Sequence, residues 1–244
     1  KAGKGAAGVA INRAGTLALV ANRMEDTISV FAIKGKDVTA VGEKLKIGDG
    51  KRPANPAGIV FTADGKRALV TRDGDSRISI LNIDGTNVSL DKRELSAGVR
   101  PYGIDLVAKG DVAIVANIGT GTGDADTVSV IDLTANPPRV VNTVTVGPTP
   151  EGIKLSPDGQ YVAVNLINGT TRAKDDPLFN EKGKLVILKR AGNQLTRVAD
   201  ADIGRWCQGI AWAGNGRTLV TQCHYEQQLF VFGFNGRVMG ALKP

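Results

Sequence analysis

Side chains able to do chemistry are few in this 244-residue chain, and their spacing excludes several reactions at once. The one histidine, His224, directly follows Cys223; an imidazole can serve as a general base near neutral pH. Cys207 and Cys223 stand outside any CxxC pair, and two thiols with one histidine do not complete a four-ligand zinc site. No serine-based triad is visible. Asp105 and Glu151 could share acid–base work if folding brings them together, which their spacing does not guarantee. The segment GTGTGDAD, from Gly119 to Asp126, has the look of a phosphate cradle but lacks the Lys-Ser/Thr of a P-loop and a following helix. Its Asp124 and Asp126 alternate as calcium ligands do, a weak metal candidate; the plainer reading is a loop in which Asp126 closes the turn, as Asp26 does earlier. No cofactor is expected.

Composition narrows the class. Hydrophobic residues at 42% and charged residues at 23% are ordinary for a globular domain. No run of 18 apolar residues exists, so a membrane-spanning helix is excluded. The formal charge of +7 attracts anions, but the basic pairs Lys51-Arg52, Lys92-Arg93 and Lys189-Arg190 are short and interspersed with acids, so no nucleic-acid partner is expected. The chain opens at Lys1 without a basic-then-apolar leader, so a secretory signal is expected to have been removed or never to have existed.

The elements that must position these groups emerge from an internal repeat. The stretch from Gly58-Ile59 through Ala63-Asp64-Gly65 to Leu69-Val70-Thr71-Arg72 recurs in outline behind leading glycines at 8, 58, 103, 152 and 209. Each copy reads as a hairpin: an apolar run, a tight glycine-containing turn, then a second β-rich run. A third strand follows, as in Thr127-Val128-Ser129-Val130-Ile131, and in most copies a weaker fourth, as in Val140–Val146. Four short strands every 45 to 57 residues predict an all-β chain of propeller blades. The expected division is one domain over 1–244, with blade cores at about 7–47, 56–96, 101–147, 150–203 and 207–244.

The motifs Pro-x-Gly-Ile, Ser-Pro-Asp-Gly, Val-x-Val-Asn and Thr-Val-Ser-Val-Ile-Asp resemble the YVTN-type β-propeller repeat, of the superfamily that includes lactonase-like propellers and quinoprotein amine dehydrogenase heavy chains. The resemblance spans nearly the whole chain and implies a toroid with the Gly-Ile strand innermost. Relatives of this type usually have seven blades, so the five repeats are expected to be part of a larger propeller, with a closed five-blade ring as the alternative. Arg237 to Leu242 would begin a further strand. Lactonase relatives would be expected to carry several histidines and acids around the channel, and this chain, with one histidine, departs from that.

Strand alternation puts the Asp-Gly turns at one end of the toroid and, at the other, the variable loops with the segments leading into each first strand. A variable face is where ligands are expected. The lead-in segments supply Arg52, Arg100, Tyr102, Glu151, Arg205, Trp206 and Gln208; the second strands end in Asn22, Arg72, Asn117, Asn165 and Gln222, with His224 just beyond. Arginines here could hold a small anionic ligand by paired hydrogen bonds, while asparagines at strand ends could equally tie blades together. The insertion from Ile167 to Gly183, with Lys174-Asp175-Asp176-Pro177 at its centre, is a candidate specificity or partner loop. Cys207 and Cys223 fall opposite each other across the last hairpin, where a disulfide is possible. With the family's common export, this implies a periplasmic or secreted protein. The scarcity of catalytic residue types leads to the expectation of a non-catalytic scaffold binding a ligand or protein through the variable face, with a lactonase-like hydrolase as the alternative.

Overall fold

Apolar runs separated by glycine turns fold as antiparallel sheets throughout. The computed structural model describes residues 1–107, 109–237 and 239–241 and, among them, contains strands and no helix. Blade 1 comprises β1 (Ala6–Ile11), β2 (Leu17–Asn22), β3 (Thr27–Lys34) and β4 (Asp37–Ala40), with a short β5 (Leu45–Lys46) also paired to β3. Blade 2 holds β6 (Pro56–Phe61), β7 (Arg67–Arg72), β8 (Arg77–Asp84) and β9 (Asn87–Leu95). Blade 3 holds β10 (Pro101–Leu106), β11 (Val112–Asn117), β12 (Asp126–Asp132) and β13 (Arg139–Gly147). Blade 4 holds β14 (Pro150–Leu155), β15 (Tyr161–Leu166), β16 (Gly183–Ala191) and β17 (Gln194–Ile203). Blade 5 holds β18 (Cys207–Trp212), β19 (Thr218–Cys223), β20 (Gln228–Phe234) and β21 (Met239–Ala241). Strands pair in chain order within every sheet. Of the strand expected from Arg237 to Leu242, Met239–Ala241 is β21, while Val238 and Leu242 lie outside the described residues.

The hairpin turns follow from their residue types. Asp64, Asp158 and Asn215 each accept the backbone N–H two residues on, at 3.0, 3.0 and 2.8 Å, and Gly65 takes the φ of +68° that a bulkier residue resists.

Four apolar clusters lie between successive blades. Leu19 and Ile28 of blade 1 meet Phe61 and Val70 of blade 2, and Leu69 and Ile80 of blade 2 meet Val115 and Ile131 of blade 3. Ile114 and Val130 of blade 3 pack with Ile153 and Val164 of blade 4, and Leu185 and Ile187 of blade 4 with Leu219 and Phe232 of blade 5. No such cluster joins blade 5 to blade 1 among the described residues. Val9 and Ile11 on the outer face of blade 1 are 66% and 60% exposed, and Leu229 on the far face of blade 5 is 65% exposed. The five blades therefore form an open arc, which excludes the closed five-blade ring.

The leading glycines explain how the blades meet at the axis. A Cβ at Gly8 would lie 1.9 Å from the Ala57 carbonyl oxygen, one at Gly103 2.3 Å from that of Glu151, and one at Gly152 2.0 Å from that of Gln208. Each inner strand presses its backbone onto the next, and only glycine permits it. At Gly209 the nearest atom would be the Gln222 Cβ at 3.5 Å.

Candidate active site

Three tiers of residues, one from each blade, surround the mouth of the axial channel. The innermost precedes the leading glycine: Ala7, Ala57, Tyr102, Glu151 and Gln208. Every inner strand carries a register shift here, as between Pro101/Ile104 and Pro150/Gly152, where one extra residue opposes the second strand. A bulge of this kind re-aims a side chain, and these five line a channel of about 540 Å³. Two blades contribute only alanine. The polar chemistry is thus confined to the sector formed by Tyr102, Glu151 and Gln208. A larger hollow of about 900 Å³ opens at the opposite end between the hairpin turns of blades 1 and 2, lined by turn residues such as Arg13, Asp64 and Thr86.

The second tier leads into each inner strand and is left-handed throughout: Gly5, Asn55, Arg100, Thr149 and Trp206 have φ between +46° and +64°. Glycine and asparagine accept this conformation readily, but arginine, threonine and tryptophan do so at about 1 kcal/mol or more each. A side-chain oxygen from the preceding blade holds each strained turn. Asp26 accepts the Asn55 N–H at 2.8 Å, Ser76 that of Arg100 at 3.1 Å, Asp126 that of Thr149 at 2.8 Å and Thr170 that of Trp206 at 3.1 Å.

The third tier follows the second strand, and its N–H bonds to the carbonyl of the second tier, as from Arg23 to Gly5 at 2.9 Å and from His224 to Trp206 at 3.1 Å. Arg23 and Asp73 occupy it in blades 1 and 2. Asp73 is 1% exposed; its Oδ2 accepts from Arg23 Nη2 at 2.8 Å and from Arg100 at 3.1 Å, and its Oδ1 lies 2.7 Å from Arg23 Nη1 as an ion pair. Burial opposes the Arg23 charge, yet Asp73's hydrogen bond and charge prevail and its pKa is raised. Arg23 also lies over the Tyr102 ring, 5.5 Å from its centroid. Neither Arg23 nor Asp73 is among the residues read from the sequence; both stand one place beyond the strand ends that were, so the repeat register was the signal that could have found them.

Glu151 is the group whose environment most suits catalysis. Burial pushes its carboxyl upward, partly offset by a hydrogen bond from the Gln208 amide and by the charges of Arg100 and Arg23. Burial likewise raises the Tyr102 phenol, with the Glu151 charge adding to it and Arg23 opposing. A carboxyl reluctant to ionise and a protonated phenol line one concave site, near enough to Arg23 and Arg100 for their charges to act on Glu151, an arrangement suited to acid–base chemistry.

The other sequence candidates lie elsewhere. Asn117 is buried in its own sheet, donating to Thr127 and Ser129 at 3.0 Å each, while the buried Asn165 ties blade 4 to blade 5 by donating to Thr221 at 2.7 Å. Arg72 is buried, which lowers its pKa, but its ion pairs with Asp75 and Glu94 outweigh that and raise it; it also donates to Ser79 at 2.8 Å. Arg52 lies beside that cluster, outside the channel. Gln222 is exposed. Asp105 accepts from Lys154 at 3.0 Å and from the Leu155 N–H at 2.8 Å, a junction between blades 3 and 4 apart from the Glu151 site. Asp124 accepts from the Thr122 hydroxyl, and Asp126 is occupied by Thr149; among the described residues no group of three or more metal-ligating side chains forms. Cys207 and Cys223 form a disulfide at the register position that Pro101 and Asn117 hold in blade 3. It sits directly beneath Trp206 and His224, whose rings pack edge to face at 4.9 Å. Arg205 covers Tyr225 with 4.6 Å to the ring centroid. The insertion from Ile167 to Gly183 is held against the loop of blade 3 by Arg172, which donates to the Gly121 carbonyl.

Comparisons agree with this fold. Residues 1–101 match the family model described as lactonase, seven-bladed beta-propeller. A Bacteroides fragilis structure described as a candidate 6-phosphogluconolactonase is 21% identical, with a TM-score of 0.76 over 96% of this chain and 68% of that one. The periplasmic gluconolactonase of Pseudomonas aeruginosa is 18% identical, with a TM-score of 0.76 over 98% and 69%. Hydrazine synthase of Kuenenia stuttgartiensis is 20% identical, with a TM-score of 0.73 over 93% and 64%. No curated protein matches the chain. The lactonase match and the gluconolactonase structures overturn the expectation of a non-catalytic scaffold and favour the alternative, a lactonase-like hydrolase. That expectation rested on the paucity of histidines, and a count of histidines does not register a buried carboxyl such as Glu151. In fold, the chain is a β-propeller, similar over residues 1–101 to the lactonase family model.

Proposed function

We propose that the chain forms the catalytic face of a hydrolase that opens sugar lactones at the channel mouth. The observation that carries this reading is Glu151, a carboxylate with a raised pKa aimed into the channel by a bulge. As general base it takes a proton from water, whose oxygen attacks the lactone carbonyl carbon. The oxyanion that forms meets the arginines. Arg100 spends one nitrogen on Asp73 and, at 43% exposure, has other donors to offer. The ring C–O bond then breaks, and the leaving alkoxide takes the proton back from Glu151, giving a hydroxy acid. The product carboxylate is the small anion that the arginines hold. Gln208 orients Glu151, and Tyr102 supplies a hydroxyl for the sugar.

The test is hydrolysis of glucono-δ-lactone followed by pH-stat against the spontaneous rate. Catalysis is expected, with Glu151→Gln lowering it by about 10²-fold or more; wild-type turnover in that variant would end the reading. The Cys207–Cys223 disulfide supports a periplasmic or secreted setting. Thiol labelling of the protein as isolated, before and after reduction, tests this: both cysteines are expected to react only after reduction.

A further inference from the structure

The exposed aromatic group beside the channel takes no part in the chemistry above. Trp206 is 38% exposed although it sits at φ +50°, a conformation costly for a bulky residue. Three contacts hold it there: the Thr170 hydroxyl on its N–H, the His224 N–H on its carbonyl, and the disulfide at the next residue. His224 and Tyr225 pack around the indole edge to face and tilted, at 4.9 and 6.3 Å. Arg205 covers one face of Tyr225, and both Tyr225 and Trp206 keep exposed surface, at 47% and 38%. Arg205 is in turn paired with Glu226 at 3.7 Å, so charged hydrogen-bonding groups border the aromatic surface. A flat apolar face rimmed by donors and acceptors matches a pyranose ring, which has an apolar C–H face and a hydroxyl edge.

Position sets the substrate. Trp206 stands two residues before Gln208, the partner of Glu151, in the left-handed turn at the channel mouth, where a second sugar unit of a ligand held at Glu151 would pass. We propose that Trp206 stacks a second sugar ring, so that the preferred substrate is a glycosylated aldonolactone rather than a monosaccharide lactone. The substrate class rests on the lactonase reading; the platform does not.

The decisive comparison is kcat/KM for cellobiono-δ-lactone against glucono-δ-lactone, together with tryptophan-fluorescence and saturation-transfer titrations using the stable acid cellobionate. Wild-type protein is expected to prefer the disaccharide lactone by about tenfold or more. Trp206→Asn removes the ring but keeps a residue suited to the left-handed backbone, since Asn55 holds the same position in blade 2 at φ +46°. That variant is expected to lose the preference and to bind cellobionate about tenfold more weakly, while Trp206→Phe retains most of both. A wild-type protein without preference, or a Trp206→Asn variant that keeps it, overturns the proposal. If neither lactone is hydrolysed yet cellobionate binds in a Trp206-dependent way, the hydrolase reading fails and the sugar platform stands. If cellobionate does not bind, the platform is overturned whatever the lactones do.

Discussion

Glu151 shows how a single side chain can serve activity at the expense of stability. Its carboxyl is raised above the ordinary glutamate value chiefly by burial. The folded state therefore holds the proton to higher pH than the unfolded chain does. The stability it contributes is fully present below the unfolded-state pKa and is lost as pH rises through the folded-state value. Glu151→Gln is expected to flatten that decline and to melt at a higher temperature near neutral pH, while hydrolysis falls. Thermal melts across pH 4 to 8 check the sign; a variant less stable than wild type at neutral pH would show that burial is not what raises the group. The acid limb of the activity profile should likewise sit above the usual carboxylate range.

At the scale of the element, the inner strand is defined by its glycine and its bulge. Gly103→Ala would drive a Cβ to within 2.3 Å of the Glu151 carbonyl oxygen, a backbone atom that cannot rotate away. It is expected to cost about 1–3 kcal/mol and to displace the catalytic carboxylate. Gly209→Ala, whose nearest atom lies at 3.5 Å, should change the stability of the 1–244 polypeptide by less than about 0.5 kcal/mol. Urea denaturation of the two variants separates close approach from mere glycine content, and equal losses would refute the packing account. The last hairpin is stapled across 16 residues of sequence by Cys207–Cys223. Replacing both with serine should lower stability by about 3 kcal/mol and weaken any binding at Trp206, since the bridge lies beneath it. Denaturation with and without reductant checks the first outcome.

In the whole molecule, the two outer sheet faces carry strongly exposed apolar side chains. Val9 and Ile11 at one end and Leu229 at the other resemble the residues that pack between blades elsewhere, but nothing in the described chain covers them. The 1–244 polypeptide on its own is expected to self-associate through these faces. Sedimentation velocity should report a shift toward monomer when Ile11 and Leu229 are both changed to lysine; an unchanged distribution would show that the faces are not sticky.

The blade pattern was legible in the chain because strand period, turn glycines and repeat length are local properties, written within some fifty residues at a time. The residues of the variable face were legible for the same reason: Tyr102, Glu151, Arg100, Trp206 and His224 follow from register alone. Which of them converge was not, because convergence depends on how one blade is rotated against the next. Asn117, Asn165 and Arg72 share an end of the toroid with Glu151, yet Asn117 and Arg72 turn to partners in their own sheets and Asn165 to Thr221 of the next blade. Arg23 and Asp73, far apart in sequence, meet only because the first two blades stack. The left-handed turns at Arg100, Thr149 and Trp206 were not legible either, since these residue types give no local sign of that conformation and a side chain on the neighbouring blade supplies the oxygen that holds each one.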